Sequence, residues 1–172
     1  MVSYILAMAV AAIVLAADQF SKVYIAANFT LGTSQEFIPG LIDITYIHND
    51  GGAWGMLGGY TWVLLSVTII IMLVCITLLL KYGSRDKLMF WAITLVLSGG
   101  VGNMIDRIFR DGNVVDFLHL AFMPEFPVFN IADCAIVIGA GLLLLYYLLG
   151  TIKETRIKRA ADNQKAEENA EN

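Results

Sequence analysis

The chain alternates long apolar runs with short polar stretches. A membrane span needs about 20 mostly apolar residues, and four runs qualify. The first starts near Tyr4 and must continue past Asp18 to about Ala27 to be long enough. The second runs from about Tyr60 to Leu80, the third from Leu88 to Ile105, and the fourth from Ile131 to Leu149. No period of 20 to 50 residues repeats, which argues against a solenoid or an inverted repeat. Between spans one and two, the run from Phe37 to Ile47 holds a Pro39-Gly40 turn and β-branched and aromatic residues that partly alternate. It predicts a short strand or two. Val114–Phe117, after the turn Asp111-Gly112-Asn113, predicts another. The expected fold is an integral membrane protein, mainly α, with four transmembrane helices and a small β-sheet on the outer face.

Composition agrees. Hydrophobic residues make up 58% of the 172 and charged residues 15%. Soluble domains carry roughly a quarter charged residues. A mean hydropathy of +0.71 also points to a polytopic membrane protein. The net charge of -4 says little, because Asp162, Glu167, Glu168 and Glu171 lie in a polar tail. The expected organisation is one membrane domain over residues 1–150 and a solvated, frayed cytoplasmic tail over 151–172.

Basic residues set the direction of the spans. Lys81, Arg85 and Lys87 lie between spans two and three, and Lys153, Arg156, Lys158, Arg159 and Lys165 follow span four. The connection from Val23 to Gly59 has no Lys or Arg, and that from Ile108 to Asn130 has only Arg110. Both termini are therefore expected in the cytoplasm and both long connections outside. A cleaved signal peptide fits poorly, since Met1-Val2-Ser3 carries no basic residue and the helical pattern continues past Ala17.

With that direction, polar residues of separate segments meet near the outer ends of the spans. Asp18 and Lys22 share a helix face at i,i+4 in span one. Asn103 pairs with Asp106 at i,i+3 and with Arg107 at i,i+4 in span three. Asn130 and Asp133 open span four, and Asn49 lies in the loop His48–Gly55 before span two. Ionisable groups in a membrane are expensive and mark functional sites. Each piece also has a plainer reading. Asn130 with Asp133 reads as a helix cap, Asp18 with Lys22 as a structural ion pair, and Asp106 with Arg107 as an anchor at a helix end. The glycine-rich loop lacks the Lys-Ser/Thr of a nucleotide-binding loop. His48 and His119 have no metal-ligand spacing, and Cys75 and Cys134 read as inert buried thiols. Ser21 and Lys22 are adjacent, and adjacent helical residues point about 100° apart, which argues against a Ser-Lys dyad.

The segments DQFSK, NDGGAW, GNMIDR, VVDF and FNIAD, in this order on four spans, resemble the lipoprotein signal peptidase (signal peptidase II) family. The resemblance covers about residues 4 to 150. It implies a bacterial inner-membrane aspartic endopeptidase that cuts prolipoproteins just before a diacylglyceryl-modified cysteine. It implies no cofactor, no metal and no nucleic acid, with membrane lipid and prolipoproteins as partners and a monomer as the working unit. Carried over by motif, Asp116 and Asp133 are the catalytic dyad. Asp18, Lys22, Asn49, Asn103, Asp106, Arg107 and Asn130 support the site or contact substrate.

Two carboxyls sharing a proton suit peptide hydrolysis: one accepts a proton from the attacking water, the other polarises the carbonyl and protonates the leaving nitrogen. Asp133, in the first turn of a helix, is the expected base and Asp116 the expected acid. Trp54, Met56, Phe122 and Phe126 are candidates for a lid. Two other classes compete, a proton-coupled transporter and a non-catalytic assembly factor. The inner halves of the spans are nearly free of charge, which weakens the first. The second leaves the two aspartates without a task.

Overall fold

The computed structural model describes residues 2–51, 57–83 and 86–171. Among the described residues are four helices: α1 (Val2–Asn28), α2 (Thr61–Tyr82), α3 (Lys87–Phe109) and α4 (Ile131–Glu171). Three strands accompany them: β1 (Ser34–Ile38), β2 (Ile42–Asn49) and β3 (Val114–Leu120). All four helices are long and apolar enough to cross a membrane. α3 is the central one: 56% of its apolar window is buried, against 11% in each of the others. Its start is capped by Asp86, whose carboxylate accepts from the backbone N–H of Leu88 and Met89 at 2.8 and 3.1 Å.

Small residues let α3 lie close to its neighbours, since in lipid no hydrophobic force drives helices together and close packing must do so. A side chain at Gly99 would strike the carbonyl oxygen of Ala132 on α4. One at Gly102 would meet an Asp18 carboxylate oxygen at 2.6 Å, and one at Gly139 the Ala92 carbonyl at 2.7 Å. These contacts bring the outgoing end of α1, the end of α3 and the start of α4 to one level.

The strands form one antiparallel sheet in the order β1-β2-β3. The run predicted as one or two strands is two, turned at Pro39-Gly40, where Gly40 takes φ 69°. A register irregularity between Ile44 and Ile47 leaves Ile47 opposite Asp116 and Asn49 opposite Val114. The sheet sits against the helix ends through a core of Ile25, Tyr46, Val115 and Phe117, with Phe29 and Ile131 packed on it. The side of the bundle that carries the sheet is thus the one where α1 ends and α4 begins.

One feature differs from expectation. Helical geometry continues through the polar tail to Glu171, with residues 151–159 exposed, where a frayed segment was predicted. The tail after Gly150 has no Gly or Pro and is rich in Ala, Glu, Lys and Arg, all strong helix formers. Gly52, Ala53, Trp54, Gly55, Met56 and Arg85 lie outside the described residues, so part of the glycine-rich loop and two of the lid candidates do too.

Candidate active site

Lys22 is a fully buried cation. Its Nζ lies 2.9 Å from Asp18 and 3.0 Å from Asp106, and donates to Asn103 Oδ1 at 3.0 Å. Lys22, Asp18 and Asp106 are all fully buried. A buried ion cluster tolerates desolvation only when its remaining donors and acceptors are also matched, and here they are. Asp18 Oδ1 accepts the backbone N–H of Ala132 at 2.9 Å, and Asp106 Oδ2 that of Val115 at 3.1 Å. The cluster therefore ties α1 to α3, to the first turn of α4 and to β3. The i,i+4 ion pair expected within α1 is real, but it is one edge of a cross-element network.

Gln19 and Arg110 belong to this network and were not among the predicted site residues. Gln19 Nε2 reaches Asp18 Oδ2 at 3.0 Å, the Gly102 carbonyl at 3.1 Å and Asp106 Oδ1 at 3.3 Å. Arg110 Nε approaches Asp106 Oδ1 at 3.3 Å. Both left a signal: Gln19 lies inside DQFSK, and Arg110 follows Asp106 at i,i+4. Asp106 thus pairs with Lys22 and Arg110 rather than serving with Arg107 as a helix-end anchor. Arg107 turns to the cavity, and its Nε has no hydrogen-bond partner among the described residues.

Above the ion cluster lie the two aspartates of interest. Asp116 comes from β3, with both its carboxylate oxygens engaged: Asn49 Nδ2 donates to Oδ2 at 2.8 Å and Asn130 Nδ2 to Oδ1 at 2.6 Å. Asp133 comes from the first turn of α4. Asn103 Nδ2 donates to its Oδ1 at 2.7 Å and the Asn130 backbone N–H to its Oδ2 at 3.1 Å. In return Asn130 Oδ1 accepts the Asp133 backbone N–H at 2.9 Å. That reciprocal pair is a capping box, with both bonds local to α4. The cap reading of Asn130 and Asp133 is therefore realised, yet it excludes nothing. The same Asn130 reaches across to Asp116, and the same Asp133 keeps its second oxygen for Asn103.

Asp116 is 1% exposed. Burial pushes its carboxyl up to about 7, with the charge of Asp133 adding to the rise; hydrogen bonds from Asn49 and Asn130 and the charge of Lys22 oppose it. Both aspartates line one cavity of about 530 Å³, together with Asn49, Asn103 and Arg107. The remaining wall is apolar. Leu120, Phe126 and Phe129 form one side, and Ile136, Val137 and Ile138 on α4 the other. Val137 and Ile138 are 69% and 56% exposed, so the apolar wall continues onto the outside of the bundle. Of the two described lid candidates, Phe126 lines the cavity, whereas Phe122 is exposed and is not part of the lining. His48 bonds to Tyr46 at 2.8 Å and His119 approaches Asp43 at 3.7 Å, neither within the cavity lining. Cys134 does line the cavity, beside Asp133, while Cys75 is packed between α2 and α3 with Met89 and Ile93.

A multi-pass membrane protein with two aspartate carboxyls in a largely apolar cavity is the class these features define. Residues 10–149 match the family described as Signal peptidase (SPase) II. The chain is 40% identical over 141 residues to the lipoprotein signal peptidase of Bacillus pumilus (strain SAFR-032), covering 81% of this chain and 90% of that protein. Two solved structures are also similar, each described as a bacterial membrane enzyme determined by the in meso method. The one at 2.3 Å resolution has a TM-score of 0.78 and 35% identity, over 84% of this chain and 88% of the other. The one at 1.9 Å has a TM-score of 0.76 and 36% identity, over 83% and 92%. The chain belongs to the signal peptidase II family and is a membrane peptidase.

Proposed function

We propose that the protein is an aspartic endopeptidase that removes the signal peptide from diacylglyceryl-modified prolipoproteins, cutting just before the lipidated cysteine. The observation that carries this reading is the joint placement of Asp116 and Asp133 in one cavity, bridged by Asn130. Like charges in one buried cavity, bridged by one residue, do not both ionise easily, so the pair retains a shared proton near neutral pH. Asp133, at a helix N-terminus with donors on both oxygens, acts as the base that takes a proton from water. Asp116, raised to about 7, acts as the acid that polarises the scissile carbonyl and protonates the departing amine. Asn49, Asn103 and Asn130 hold the two carboxyls, and Arg107 faces substrate with an unused donor.

The apolar wall suits the substrate. Two acyl chains stay in lipid along the exposed face of α4 while the peptide bond reaches the polar side of the cavity. The distribution of basic residues supports placement in the bacterial inner membrane with both termini cytoplasmic and the site at the level of the outer leaflet. The enzyme works as a monomer.

The test is incubation of purified protein with a diacylglyceryl-modified prolipoprotein and, separately, with its unmodified precursor, followed by product masses. Cleavage of the modified form alone, immediately before the modified cysteine, is expected. Equal cleavage of both would sink the lipid-anchored placement of substrate.

A further inference from the structure

Three asparagine amides surround the dyad, and a donor-only group decides which way each one faces. Lysine ammonium and backbone N–H can donate but never accept. Gly51 N–H binds Asn49 Oδ1 at 3.0 Å, which turns Asn49 Nδ2 towards Asp116. Asp133 N–H binds Asn130 Oδ1 at 2.9 Å, which turns Asn130 Nδ2 towards Asp116. Lys22 Nζ binds Asn103 Oδ1 at 3.0 Å, joined there by Asn130 Nδ2 at 3.1 Å, which turns Asn103 Nδ2 towards Asp133. The two backbone donors come from the site's own chain trace. Of the three donor-only groups Lys22 alone is a side chain, fully buried and one residue removed from the dyad.

We infer that Lys22 is a positioning residue that acts through Asn103: by holding the Asn103 oxygen, it keeps an N–H on Asp133 and so stabilises the ionised form of the base. The inference rests on the two-aspartate reading above. Each of the four dyad oxygens receives an N–H in the hydrogen bonds described. If Asn103 turned over, its oxygen would face Asp133 and remove one donor. The charged groups around Asp133 are Asp116 from β3, Arg107 from α3, and Lys22 and Asp18 from α1. Lys22 itself faces Asp18 and Asp106, and Asp106 also faces Arg110.

The experiment is a pH profile of turnover for wild type, Asn103→Leu, Lys22→Met and the double variant, in detergent with a lipopeptide substrate. The acid limb, where the dyad sheds its first proton, is expected to move up by about one pH unit in each single variant, since a hydrogen bond to a charged group is worth about that much. The double variant moves no further than either single. Lys22→Arg, still donor-only, keeps the limb within about half a unit of wild type. If Lys22→Met does not fold, Lys22→Met/Asp18→Asn removes one charge of each sign and leaves Asp106 its Arg110 partner. An acid limb that stays in place while turnover drops makes Lys22 merely structural and overturns the inference. The parent reading fails separately, through activity in the dyad variants.

Discussion

The side-chain nitrogen of Asn130 lies 2.6 Å from a carboxylate oxygen of Asp116, fourteen positions away in sequence. Asn130 also caps the helix that carries Asp133. One residue thus starts α4 and couples the two carboxyls. Asn130→Ser separates these roles. Serine caps about as well as asparagine but lacks the reach to Asp116. Melting should show a loss of about 1–3 kcal/mol, the cost of buried acceptors left without their donor rather than of the cap, while turnover falls at least about tenfold, as expected when roughly 1.4 kcal/mol of stabilisation is lost. Unchanged turnover would confine Asn130 to the cap.

Asparagine in place of either aspartate tests the dyad. Asp116→Asn and Asp133→Asn should each insert and fold, yet lose at least about 100-fold in turnover, the low end of what a positioned acid or base contributes. The double variant should be hardly worse than either single, because the pair acts as a unit. Substantial activity in one single variant would remove that residue from the mechanism.

The raised carboxyl of Asp116 makes stability depend on pH. Folded, it titrates at about 7; its ordinary value is 3.8. Between these values the folded state keeps a proton that the unfolded chain has released. Stability from this group is therefore fully present below 3.8 and lost as pH rises towards 7. Asp116→Asn removes that loss. Its Tm relative to wild type should rise by about 2 °C or more between pH 4.5 and 7.5. A constant difference across that range would contradict the buried, coupled state of Asp116. Wild-type turnover should also decline above about pH 7, where the shared proton departs.

Asp18 and Arg107 should behave differently. Asp18→Ala leaves Lys22 short of a partner and uncaps the Ala132 N–H, and breaking a buried pair costs about 3–5 kcal/mol. A clear fall in Tm should accompany its loss of activity. Arg107 faces the cavity with Nε unbonded among the described residues, so Arg107→Ala should lower turnover with little change in Tm. Equal destabilisation by both would place Arg107 in the structural network.

Much of this protein is legible one residue at a time. Span length and apolarity are properties of a contiguous segment, so all four helices and their starting points follow from hydropathy. The Asn130–Asp133 cap and the Asp18–Lys22 pair follow from spacings of three and four. The turn at Pro39-Gly40 is equally local. Pairings across elements are another matter. Asp18 meets the Ala132 N–H 114 positions away, and Asn49 meets Asp116 across 67. No periodicity encodes the height at which one helix slides past another. That is decided by packing: Gly99, Gly102 and Gly139 admit the neighbouring backbone, and the irregularity between Ile44 and Ile47 sets which β2 residue faces Asp116. The sequence also left Asp106 between two partners. Arg110 lies within reach at i,i+4, but only the helix ends brought together in space added Lys22, because a buried carboxylate goes to the cations that can reach it without water.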